Sequence, residues 1–207
     1  MKKLLLLLMT LFSLSSNLFS QYHIIYIPEF KNTDTADKYP VRSVLASYTS
    51  NFDLLISLNN YSAWGPDENT KVLAHHKSGW YKIEINNDYI NHSVCYQTSK
   101  ITDSTGDKVW NALKENHLFD MEDERSLKYR CEGASDTVKM KGKKEIIPRL
   151  FPMISDGAEY EFEILTKDHY KKIYFYCPEE ANNYCTGPLD RRWAVACIKI
   201  FEKYLGN

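Results

Sequence analysis

"AEYEFEILTKDHYKKIYFYC", residues 158–177, decides the fold class. Tyr160, Phe162 and Ile164 alternate with Glu161 and Glu163, and Ile173 and Phe175 alternate with Tyr174 and Tyr176. Period-two patterning of this kind is the signature of paired strands, because successive side chains point to opposite faces. "TKDH" between the runs supplies the turn. Glu161 and Glu163 then share one face, read here as the wet side of a half-buried sheet.

A second hairpin is expected upstream. "KVLAHHK" and "WYKIEI" flank Ser78-Gly79, a strong two-residue turn signal. "SVCYQTSKI" reads as a further strand, and "YHIIYI" (22–27) as the first. "NFDLLISL" is ambiguous between helix and strand, and "NNYSAWGPDENT" reads as a loop. Three segments have helical spacing. Val41, Val44, Leu45 and Tyr48 follow Pro40; Val109, Trp110 and Leu113 mark a buried side of a helix capped by Thr105 or Asp107; Trp193, Ala196, Cys197, Ile200, Phe201 and Tyr204 mark a closing helix through residue 205. Strands and helices mix without regular βαβ alternation. The expectation is an α+β fold, a mainly antiparallel sheet of hairpins packed with about three helices. The acidic "DMEDER" and basic "KMKGKKEIIPR" read as solvated segments.

The N-terminus carries an address. Lys2 and Lys3 precede an apolar run from Leu4 to Leu14, and small residues follow to Ser20. That order is a secretory signal over residues 1–20, too short to span a bilayer comfortably. The mature region, residues 21–207, is then one α+β domain, secreted or periplasmic, without membrane insertion after cleavage. Losing Lys2 and Lys3 moves the formal charge from -1 to -3. Near-neutrality argues against nucleic acid as a partner.

An exported chain permits disulfides among Cys95, Cys131, Cys177, Cys185 and Cys197. Cys197 falls on the buried stripe of the last helix. "CPEEANNYC" reads as a polar loop that a Cys177–Cys185 bond would staple, with Cys95–Cys131 as the remaining pair.

Candidate chemistry is sparse. His75 and His76 are the only adjacent histidines. On a strand they diverge, one toward solvent and one half-buried beside Trp80 or Tyr81, so they do not share a metal. No zinc spacing, nucleotide-binding loop or nucleophile elbow is present, and no metal or cofactor is expected. Arg191 and Arg192 lie in the first turn of the last helix, where cations oppose the helix dipole. Asp190, Glu179 or Glu180 are the nearest compensating partners, and the functional alternative is that the pair holds an anion. The expectation is a non-enzymatic binding module for a protein, peptide or glycan, with Arg191, Arg192, His75 and His76 as candidate binding residues. The alternative is an exported hydrolase with a dispersed site using His75 or His76.

Overall fold

The computed structural model describes residues 23–31, 45, 48, 50–61, 69–88, 93–126, 135–140, 143–148, 157–184 and 189–206. Its centre is a six-stranded sheet in the order β4-β3-β2-β1-β7-β8, every neighbouring pair antiparallel. The strands are β1 (Leu54–Tyr61), β2 (Asn69–His76), β3 (Gly79–Asp88), β4 (Ser93–Lys100), β7 (Glu159–Thr166) and β8 (Tyr170–Tyr176). A separate hairpin pairs β5 (Ser135–Met140) with β6 (Lys143–Pro148). The helices are α1 (Asp103–Glu115), α2 (Pro178–Tyr184) and α3 (Leu189–Leu205). This is the α+β, hairpin-built antiparallel architecture that the alternation predicts.

The topology joins two locally coded units. β1 to β4 form a meander, and the β7–β8 hairpin docks along β1, Leu58 opposite Phe162 and Ile56 opposite Ile164. "NFDLLISL" resolves as β1, whose two faces are both buried. Leu54, Ile56 and Leu58 join the core under the helices, with Leu73, Trp80, Phe162, Ile164, Ile173 and Phe175. Leu55 joins a second cluster on the opposite face with Val72, Ala74, Ile83, Ile85 and Leu165, reached by Leu45.

Helix α1 presents Val109, Trp110 and Leu113 to the first core, the residues its spacing singles out. Its N-cap is Thr102, whose hydroxyl accepts from the Thr105 amide at 3.2 Å. Gly106 is needed there because a Cβ would fall 2.0 Å from Cγ of Trp80. Helix α3 buries Ala194, Cys197, Ile198, Phe201 and Leu205 against the same core.

Several local expectations are corrected. Residues 23–27 of "YHIIYI" belong to no strand among the described residues, and Tyr22 lies outside them. The first hairpin turns at Lys77-Ser78, since His76 pairs with Gly79, which carries the positive φ of 116°. Of the basic stretch, residues 139–140 and 143–148 lie in paired strands. The Pro40 helix falls mostly outside the described residues, which there include only Leu45 and Tyr48.

The disulfides expected at Cys177–Cys185 and Cys95–Cys131 each have one partner beyond the described residues. Cys95 is an exposed free thiol and Cys177 a buried one. "PEEANNY", read as a polar loop, is helix α2. Cys131 and Cys185 themselves lie outside the described residues.

Candidate functional site

The two adjacent histidines diverge. His75 faces the helix-covered core, only 2% exposed, its ring 4.7 Å from Trp80 in an edge-on contact. His76 faces the other way, with Nδ1 2.8 Å from the Ser78 hydroxyl, which lies 2.9 Å from the Tyr81 hydroxyl. The Ser78 amide also donates to His76 Nδ1 at 3.3 Å, so this trio braces the hairpin turn.

His75 does have an imidazole partner, one that no local pattern marks. His23, 52 positions upstream, places Nδ1 3.1 Å from Nε2 of His75. The other His23 nitrogen, Nε2, lies 3.2 Å from a carboxylate oxygen of Asp107 on α1. Trp80 Nε1 donates to that same carboxylate at 2.9 Å. At the far end, Nδ1 of His75 lies 3.7 Å from Asp53, too long for a hydrogen bond. The result is a row of four groups, Asp53, His75, His23 and Asp107, running from the start of β1 to α1. Burial is the largest influence on His75, holding its pKa below the usual histidine value, and the charge of His23 adds to it; Asp53 opposes.

The row can bind and pass a proton. No serine, threonine or cysteine among the described residues hydrogen-bonds to either ring of the His23–His75 pair. Among the described residues no group of three His, Cys, Asp or Glu is arranged to hold a metal ion.

Arg191 is drawn into the interior rather than toward solvent. Its Nε and Nη2 reach one oxygen of Glu124 at 2.9 and 2.8 Å, both residues buried. The other Glu124 oxygen accepts from the Tyr176 amide at 2.6 Å, and the Glu124 amide donates to Tyr174 O at 3.0 Å. "DMEDER" is therefore not a solvated run, for its fifth residue is a buried anchor. Arg192 is exposed on the same turn.

The carboxylates of β7 overturn the wet-face reading. Glu161 and Glu163 are 7% and 6% exposed. Lys172 pairs with Glu161 at 2.7 Å, and the Tyr61 hydroxyl donates to it at 3.4 Å. Tyr170 donates to Glu163 at 3.1 Å, and burial, then the Glu163 charge, pushes its own pKa far up. Ser57, opposite Glu163 in the β1–β7 register, is fully buried with a hydroxyl that has no hydrogen-bond partner. Alternation assigned these residues to a common face correctly; which face is wet depends on what packs there.

Two further surface features stand out. Residues 23–31 form a strap. Ile25, Ile27 and Phe30 pack against the core, while Ile24 and Tyr26 are 86% and 79% exposed. Cavities of about 350 and 420 Å³ flank its far end, both lined by Glu29 and Phe30. At the sheet edge, β4 pairs only with β3 and exposes Val94, Cys95 and Tyr96. No helix among the described residues is long and apolar enough to cross a membrane. No protein-family model matches the chain, and no curated protein matches it.

Proposed function

We propose that this protein is an exported, non-enzymatic interaction module that takes a protein or peptide partner by strand addition. One observation carries the reading. Among the described residues five large apolar side chains are exposed, and four of them, Ile24, Tyr26, Val94 and Tyr96, sit outside the helices. Two of the four lie on the strap, which belongs to no ladder, and two on the edge strand β4. Edge backbone offers hydrogen bonds to an incoming strand, and alternating apolar side chains add area and selectivity. Aromatic contact residues suit such a surface. Export rests on the basic, apolar and small-residue order of residues 1–20. Among the partner classes a peptide or protein strand fits this surface better than a glycan, because its exposed side chains Ile24, Tyr26, Val94 and Tyr96 are apolar or aromatic.

The test is a displayed library of extended peptides selected on the purified protein, run beside a glycan array. Selected peptides are expected to lose affinity at least ~10-fold against Tyr96→Lys or Tyr26→Lys, a loss of the order expected from one buried aromatic anchor. Peptides that bind both variants as well as the wild type, or retention of glycans alone, would sink the reading.

A hydrolase using His76 is the second reading, favoured by the 2.8 Å approach of its Nδ1 to the Ser78 hydroxyl. An activated serine is labelled by a fluorophosphonate probe and Ser78→Ala abolishes that label; an unlabelled wild type removes this reading.

A further inference from the structure

From the geometry of the imidazole row we infer that His23 and His75 form an acid-released latch that holds the strap, residues 23–31, across the end of the sheet. The proton count between the rings is the reason. Nε2 of His23 faces the Asp107 carboxylate at 3.2 Å, so it carries hydrogen. Nδ1 of His23 and Nε2 of His75 face each other at 3.1 Å, a distance that one N–H can bridge. One proton between two nitrogens makes a hydrogen bond. Two protons there make two donors pointing at one another, with at least one ring cationic, and the bond is lost.

The strap is the part that gives way. His75 is anchored within β2, paired with Leu54 on one side and Trp80 on the other. Among the described backbone bonds the strap has one to the body, His23 N to Lys77 O at 3.0 Å. Its remaining hold is the packing of Ile25, Ile27 and Phe30. The groups that face the latch are Asp53 before β1, Asp107 on α1 and His76, the next residue on β2. At the other end of the strap Phe30 meets His169 edge-on at 5.7 Å, near Asp168 and Glu29.

The sign follows from linkage. Burial lowers the His75 pKa below 6.5 while the strap is docked. The released state therefore binds more protons than the docked state as pH falls below 6.5. Docking is complete above that value and is lost on acidification, the docked-to-free ratio falling about tenfold per pH unit for each extra proton bound. Release bares the apolar floor under Ile25 and Ile27 and frees the strap to pair elsewhere.

The experiment is NMR on the purified protein with labelled isoleucine methyls and 15N-labelled imidazoles, titrated from pH 7.5 to 5. In the wild type the Ile25 and Ile27 methyls are expected to move to free-chain positions while those of Ile56 and Ile164 stay native. In His23→Gln, which has no ring to charge, the strap resonances become independent of pH over that range; His76→Gln and His169→Gln retain the transition. Strap methyls that stay put in the wild type, a transition that survives His23→Gln, or one abolished by His169→Gln overturns the latch. The imidazole spectra decide the matter if His23→Gln misfolds. A single shared proton across the ring pair in the docked state supports the latch, and two fully protonated rings in a docked strap refute it.

Discussion

Replacing Glu124 by alanine tests the buried ion pair between Glu124 and Arg191. The carboxylate accepts from Arg191 Nε at 2.9 Å, Arg191 Nη2 at 2.8 Å and the Tyr176 amide at 2.6 Å. The guanidinium it serves is 1% exposed and cannot turn to water without unpacking α3. Breaking a buried pair from one side costs about 3–5 kcal/mol, because the remaining charge stays buried without its carboxylate partner. Losing the bond from the Tyr176 N–H adds to this, about 0.5–1.5 kcal/mol for a hydrogen bond at a part-buried site. The lower bound, about 3 kcal/mol, corresponds to a fall in Tm of at least ~6 °C for a chain of this size. Thermal melts and urea titrations followed by circular dichroism give the number directly. The double variant Glu124→Met with Arg191→Met removes both charges and is expected to recover most of the loss, since apolar replacement of a whole buried pair is often neutral. A Glu124→Ala protein within about 1 kcal/mol of the wild type would refute the assignment of this pair as a buried tie.

Three further outcomes follow from packing and exposure. Gly106→Ala drives a Cβ to 2.0 Å from Trp80 Cγ, in the middle of the α1–sheet contact, and costs about 1–3 kcal/mol by overpacking, read from chemical denaturation. Ser57→Ala deletes a fully buried hydroxyl with no partner and raises stability by about 1 kcal/mol; a lower Tm would mean that the hydroxyl is satisfied after all. Thiol labelling of the native protein modifies Cys95 at once. Cys197, whose pKa burial pushes up to about 12, reacts only on unfolding, and mass spectrometry of the labelled peptides separates the two.

The parts legible in the sequence are those in which a local period maps onto one element. β7, β8, α1 and α3 were readable because Phe162, Ile173, Leu113 and Phe201 recur at spacings of two or of three to four. The strap shows where that logic fails. His23 to Ile27 alternates in burial as a strand does, yet ladder membership depends on a neighbouring edge, which no local pattern encodes. Helix α2 was missed although Pro178 at its first position, with Glu179 and Glu180 in its first turn, is a start signal; the polar run and the cysteines at either end suggested a stapled loop instead. Glu161 and Glu163 were misjudged for a different reason. Period two says that they share a face and says nothing about what covers it.

The candidate sites were the least legible because each is made by chain closure over a long interval. His23 and His75 stand 52 positions apart, and Glu124 and Arg191 stand 67 apart. Neither residue of either pair carries a local mark of its partner. Their placement nevertheless has a common logic. The latch ties the strap to the β2–β3 hairpin and to α1, and the ion pair ties the segment after α1 to β8 and α3. Apolar burial already holds the sheet to its helices and is nearly indifferent to sliding by one position. Directional polar contacts are not, so they occur where an extended segment must be fixed in register against a surface that would otherwise accept it in several ways. Of the two ties only the His23–His75 bond can be dissolved by a proton within the physiological range, because imidazole alone among these groups gains a charge there. A carboxylate–guanidinium pair keeps its attraction through the same change. Acid therefore separates the two: it loosens the strap at one end of the sheet and leaves the α3 anchor in place.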